Sequence, residues 1–296
     1  MWRSRTFLWS LLVVVACVSL LVIVGLQAAP APGRLQVSFL NVGQGDAILI
    51  TGPTGLQILV DGGRDRSVVR ELPKAMNLLD RKIDLVVATH PDADHIGGLS
   101  DVLERYTVSY ILTPGREGES EVYERFVAAA HNEPGAKELR ALAGMRIQLG
   151  DGAYADVLYP GDNVAQLRES NDASVVLKVV YGDSEFMLTG DAPSWVEDRL
   201  VSQYGEALKS DVLKAGHHGS RTSTSEQWLN AVQPQIVVVS AGKDNSYGHP
   251  HAEVLKRITT TGAQTFSTIS EGTITYESDG VQLTRQERLT WVPWWR

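Results

Sequence analysis

From residue 35 onward the chain alternates short apolar runs with glycine- and aspartate-rich turns. Leu35–Leu40, Ala47–Ile50 and Gln57–Val60 are apolar runs of strand length, with a turn at Thr51–Gly55, and they predict β-hairpins. Val68–Leu79 has the three-to-four spacing of an amphipathic helix, whereas Ile83–Ala88 reads as a strand buried on both faces. The pattern then predicts a helix over Leu99–Arg105, a strand over Val108–Leu112, a surface loop over Thr113–Glu121 and a helix over Val122–His131. Short strands follow at Arg146–Leu149 and Ala155–Tyr159. Helices are predicted over Pro193–Tyr204, Gln227–Val232 and His251–Thr261, and strands over Ile236–Ser240, Phe266–Ser267 and Thr273–Glu277.

Two echoes run through this pattern. Ala47–Gly62 (AILITGPTGLQILVDG) and Ser174–Asp191 (SVVLKVVYGDSEFMLTGD) are both pairs of apolar strands around a glycine turn, with an aspartate at the tip of the second strand. Asp84–His90 and Asp211–His217 each place a histidine six residues after an aspartate, at the end of a buried strand. Such repetition predicts an α/β fold in two related halves, a four-layer αβ/βα sandwich.

Composition changes the picture at the N-terminus. Phe7–Leu26 carries no charge and follows Arg3 and Arg5, which predicts a membrane-spanning helix with its N-terminus inside and the rest of the chain outside the cytoplasm. A cleaved signal and a secreted product is the weaker alternative, because Pro32 follows the small-residue stretch Ala29-Pro30-Ala31. The expected organisation is an anchor and tether over 1–33, one hydrolase domain over 34–285 and a tail over 286–296 that carries Trp291, Trp294 and Trp295. Cys17 is the only cysteine, which excludes an internal disulfide and a cysteine zinc site. The net charge of -8 argues against tight, unspecific binding of duplex DNA.

The chemistry concentrates in Thr89–Leu99, THPDADHIGGL, directly after the buried run Ile83–Ala88. Helix capping needs one Asp or His, and this loop spends four: His90, Asp92, Asp94 and His95. Two imidazoles and two carboxylates delivered to one point are ligands for divalent metal. Gly97 and Gly98 would let the next helix start close against them. Asn41–Asp46 (NVGQGD) could be read as a phosphate-cradling loop, but no helix or P-loop lysine follows. Further candidates are Asp61 and Asp191 at strand tips, Lys214, His217, His218 and Ser220 in LKAGHHGS, and Asn245 and His249 in NSYGHPH. Adjacent His217 and His218 are expected to divide their work, one on metal and one toward substrate, with His217 favoured as the ligand by its echo of His90.

HxDxDH followed by GG resembles the metal-binding motif of the metallo-β-lactamase superfamily, in the variant with Asp92 in place of the middle histidine. With NVGQGD, NDxSxVL from Asn171, LTGD, LKxxHHGS and GHP in this order, the chain most resembles the metallo-β-lactamase-like domain of the ComEC competence proteins, over roughly Leu35 to Thr275. The resemblance implies a metal centre of His90, Asp92, Asp94, His95, Asp191 and His217, with Asp191 bridging two divalent ions, zinc or manganese with magnesium possible. It implies that Asp61 buttresses the metal loop, that Asn171 stands where a further histidine is expected, and that Asn171, Ser220 and Asn245 lie beside the metals or the substrate. Two such ions would lower the pKa of a shared water and absorb charge on a phosphoryl oxygen, with Asp94, Lys214, His218 or His249 assisting. The implied activity is hydrolysis of DNA, single-stranded above all, during uptake beside a channel protein. Hydrolysis of a small ester, thioester or lactone, and a non-catalytic module docking a DNA-uptake channel, are the alternatives.

Overall fold

The computed structural model describes residues 9–19, 31–77, 79–161 and 163–287. A helix, α1, covers 9–19. No helix among the described residues is long and apolar enough to cross a membrane. The remainder of the Phe7–Leu26 run, and the tryptophan-rich tail, lie outside the described residues.

The apolar runs form two sheets whose buried residues divide cleanly between faces. The first contains β1 (Leu35–Phe39), β2 (Ile48–Thr51), β3 (Gln57–Val60), β4 (Lys82–Val87), β5 (Thr107–Thr113) and β6 (Lys137–Arg140). The second contains β7 (Arg146–Gly150), β8 (Ala153–Tyr159), β9 (Val176–Tyr181), β10 (Ser184–Leu188), β11 (Val212–Lys214), β12 (Ile236–Val239) and β13 (Gln264–Ser267). The chain then returns to the first sheet with β14 (Ile274–Ser278), which pairs antiparallel to β1, and β15 (Leu283–Gln286).

Leu85 and Val87 of β4 enter the core between the sheets, against Val179, Phe186 and Tyr276, while Ile83 and Val86 face outward onto helices. This two-sided burial is why the run Ile83–Ala88 shows no polar alternation. The helices α2 (Ser67–Ala75), α3 (Ala93–Ile96), α4 (Leu99–Leu103) and α5 (Glu121–Asn132) cover the outer face of the first sheet. The helices α6 (Ser194–Tyr204), α7 (Glu226–Val232) and α8 (Ala252–Thr260) cover the second, and a short α9 (Thr268–Glu271) precedes β14. The result is a two-sheet α/β fold with helices outside each sheet.

The echoes are structural. Asp84 accepts a hydrogen bond from the backbone N–H of Gln57 at 2.9 Å, and Asp211 accepts one from Glu185 at 2.9 Å. In each half the next residue pairs in parallel with the neighbouring strand, Leu85 with Ile58 and Val212 with Phe186. Two expectations shift. The helix predicted over Val68–Leu79 stops at Ala75, and edge strands β6 and β15 were not expected, because they are largely exposed and carry no buried alternation.

Candidate metal centre

Parallel strands β3 and β4 end on one side of the cleft between the sheets, and β10, β11 and β12 end on the other. Asp61 follows β3, Thr89 and His90 follow β4, Asp191 follows β10, and His217 and His218 follow β11. Carboxyl ends of parallel strands converge on a crevice that the sheet itself leaves open.

Asp191 is the hub. It is 3% exposed, and its Oδ1 lies 3.3 Å from His95 Nε2. Its Oδ2 lies 3.5 Å from Nε2 of both His217 and His218, and 4.0 Å from His90 Nε2. Asp94 approaches His218 Nε2 at 3.4 Å, and Asp92 approaches His90 Nε2 at 3.7 Å. The far side of each imidazole is held. Asp61 accepts from the Thr89 N–H and hydroxyl at 2.8 Å each and sits 2.7 Å from His95 Nδ1. Thr89 Oγ1 lies 2.9 Å from His90 Nδ1, and His218 Nδ1 donates to the Ser240 carbonyl at 3.0 Å.

Charge follows from this crowding. Burial opposes ionisation of Asp94, but His218 and His95 outweigh it and hold the carboxyl well below its usual range. Burial likewise opposes a charge on His218, yet Asp191 and Asp46 push it up to about 9. His90, buried and beside His95, drops to about 3. Nε2 of His90, His95 and His218 and Oδ1 of Asp191 are buried without a hydrogen-bond partner. Buried polar atoms are rarely left so. Orphaned imidazole nitrogens aimed at carboxylate oxygens fit divalent metal, which satisfies lone pairs and negative charge together.

Sequence reasoning missed Asp46, which joins His95, Asp191 and His218 in one buried group whose ligand atoms lie within 4.8 Å of one another. Its Oδ2 is 2.5 Å from Lys214 Nζ and its Oδ1 is 3.4 Å from His218 Nδ1. One oxygen is thus engaged by an ammonium, and the other meets the imidazole nitrogen turned away from Asp191, so Asp46 positions His218. The signal was present in the sequence: NVGQGD is another glycine-led turn ending in aspartate. A Cβ on Gly45 would lie 1.9 Å from the Asp94 carbonyl oxygen, so this loop packs backbone to backbone on the metal loop.

Three expectations need correction. Lys214 is fully buried beneath Asp46, so it neutralises that carboxylate and does not reach an oxyanion in the open cleft. Ser220 spends its N–H on the His217 carbonyl at 2.8 Å, and its hydroxyl pairs with Thr222, so it braces the turn and does not present an anion site. His217 and His218 both point inward, because each adopts a left-handed backbone (φ 49° and 56°) that wraps the turn around Asp191. His217 is the more exposed of the two.

Asn245 clamps its loop by donating to the carbonyls of Gly242 and His249 and accepting from the N–H of His249. His249 lies with its ring centroid 5.4 Å from that of His217, its Nδ1 buried and unpartnered. Burial and the flanking imidazoles lower it to about 4, so it is neutral at pH 7. Asn171 begins the 3₁₀ turn that leads to Ser174, whose hydroxyl accepts from the Asp191 N–H at 3.2 Å.

A two-sheet α/β fold with buried imidazoles and carboxylates at the strand ends defines the class of protein. Residues 40–243 match the Metallo-beta-lactamase superfamily, and the chain belongs to it. It is 30% identical over 258 residues to ComE operon protein 3 of Bacillus subtilis (strain 168), covering 81% of this chain and 33% of that protein. It is 32% identical over 252 residues to Competence protein ComA of Neisseria gonorrhoeae, covering 84% of this chain and 33% of that one. The chain therefore spans about a third of the length of these relatives. The fold is shared with Igni18, a metallo hydrolase from Ignicoccus hospitalis, at a TM-score of 0.52 and 17% identity, over 82% of this chain and 98% of that one.

Proposed function

We propose that this protein is a metal-dependent phosphodiesterase that cleaves DNA, single strands above all, in competence-related uptake. The observation that carries it is the ring of orphaned buried nitrogens around Asp191. His90, Asp92 and His217 would hold one divalent ion and Asp94, His95 and His218 another, with Asp191 between the two sets. Such ions supply Lewis acidity and an acidified water when bound. Carboxylates beside the imidazoles make the donor set harder and favour manganese or magnesium more than an all-histidine site does.

The chain's own groups prepare this chemistry. Asp61 and Thr89 fix the His95 and His90 rings, the Ser240 carbonyl and Asp46 fix His218, and Asn245 holds His249 at the rim. Neutral His249 then offers an N–H to a phosphoryl oxygen. The names of the relatives, which refer to competence, motivate DNA as the substrate and a channel protein as the partner. The N-terminal apolar run would tether the enzyme to the membrane, with its site outside the cytoplasm.

The test is cleavage of labelled single- and double-stranded oligonucleotides by the purified chain with Mn²⁺, Mg²⁺ or Zn²⁺, alongside metal analysis. Metal-loaded protein that cuts no strand with any ion would sink the proposal. The net charge of -8 favours a second reading, a small uncharged ester as substrate, which faster turnover of an ester panel would support. A folded chain that takes up no metal would point to a docking module.

A further inference from the structure

The cavity beside the metal loop, about 640 Å³, is lined by Asp92 and Asp94 on one side and by Arg64, Arg116 and Arg168. Arg64 and Tyr247 also line a neighbouring cavity of about 340 Å³, so the two form one groove past the metal loop. Among the described residues none of these three arginines has a carboxylate partner, although Arg34, Arg146, Arg221 and Arg285 elsewhere each do. Glu117 and Glu119 line the larger cavity too, yet neither pairs with an arginine there.

The arginines are placed by the fold. A Cβ on Gly97 of the metal loop would lie 2.1 Å from the Arg64 carbonyl oxygen, so the segment bearing Arg64 is pressed against that loop. Arg116 donates to the Arg168 carbonyl at 3.3 Å, which ties the two loops together, and its Nε is buried without a partner. Tyr247 is 55% exposed and lies 5.6 Å from the His249 ring at an interplanar angle of 20°. One face is backed by an imidazole at the rim of the metal centre, and the tyrosine is otherwise open to solvent.

We propose that this groove is the seat of the strand: Arg64, Arg116 and Arg168 hold backbone phosphates on either side of the one being cut, and Tyr247 stacks a base. The inference rests on the phosphodiesterase reading and adds the residues that select a polymer with phosphates and bases over a small ester. The imidazoles of His90 and His95 are sunk, 1% and 0% exposed, below the partly exposed Asp92 and Asp94, so the scissile phosphate must be brought down past the carboxylates to reach them. A flexible single strand can bend into such a cleft, whereas a duplex keeps its phosphates on a stiff cylinder. The net charge of -8 is no obstacle, because the recognising charge is local.

The test measures binding apart from turnover. Anisotropy of a labelled, hydrolysis-resistant phosphorothioate dT12 is followed against salt for the whole metal-loaded chain. Each lost phosphate contact lowers the slope of log K on log salt by about 0.7, so the combined R64A, R116A and R168A chain should lose about 2 in slope and at least tenfold in affinity. Tyr247→Ala should weaken dT12 roughly five- to a hundredfold but leave an abasic strand of equal length unaffected. Arg66→Ala with Arg125→Ala, in a separate cavity of about 630 Å³, is the control for lost charge and should change neither quantity. An unchanged slope in the triple variant, equal losses in the control, or no binding of dT12 by the wild type overturns the groove. Cleavage of DNA that survives the triple variant unaltered would leave the phosphodiesterase standing and remove the groove; tight, arginine-dependent binding without cleavage does the reverse.

Discussion

His95 is gripped from both sheets: Asp61 holds its Nδ1 at 2.7 Å and Asp191 faces its Nε2 at 3.3 Å. Burial opposes a charge on this ring, but the two carboxylates raise it well above the ordinary histidine range. They differ in what substitution should do. Asp191→Asn keeps volume and removes one charge from the hub, so on the proposed two-ion reading the chain should lose one ion and more than about a hundredfold in rate while remaining folded. Metal analysis with circular dichroism checks it, and wild-type metal content and rate in this variant would refute the shared carboxylate. At this scale the sequence was legible where residue types were dense, as in His90–His95, and silent where one residue acted through another. Asp46 and Lys214 lie far apart in the chain and belong to different sheets, and only the packing of the two sheets against each other brings them to 2.5 Å.

Turns, more than strands, shape the site. NVGQGD lies on the metal loop through Gly45, whose φ of +116° and contact with the Asp94 carbonyl leave no room for a side chain. Gly45→Ala should cost about 1–3 kcal/mol in urea unfolding and loosen metal, because the new methyl group would push on the backbone of Asp94. The turn after His217 and His218 is anchored elsewhere: Glu197, 1% exposed, accepts from the N–H groups of Thr224 and Ser225 at 2.6 and 2.9 Å. Burial raises its carboxyl from 4.5 to about 7 against those bonds. The folded chain therefore binds more protons here than the unfolded one between these values, so this group's contribution to stability falls as pH rises through that window. Glu197→Gln should flatten that part of the Tm–pH curve, and an unchanged slope would argue against the shift. Central strands and helices were readable because burial on one or both faces leaves a periodic trace. The inward turn of both His217 and His218 was not, because it depends on a left-handed backbone that residue type alone does not announce at histidine.

Taken whole, the molecule is two versions of one plan, and the repeated aspartates Asp84 and Asp211 make equivalent bonds in each. The repetition in the sequence foretold the sheets but not their closure. The chain does not finish its first sheet when it leaves it: β14 returns after the whole second sheet to pair with β1, and Thr273, just before β14, accepts from the N–H of Asn41 at 2.9 Å at the head of NVGQGD. Order of synthesis follows from that detour. While the chain is being made, β1 waits with an open edge and the loop bearing Asp46 lacks its tie, although every candidate ligand has already emerged. Removing residues 273–287 deletes none of those ligands, yet it should abolish metal uptake and lower solubility, as metal analysis and sedimentation of the shortened chain would register. On this expectation β14 and β15 act as a latch, and the metal site takes form only once the chain has been made through them.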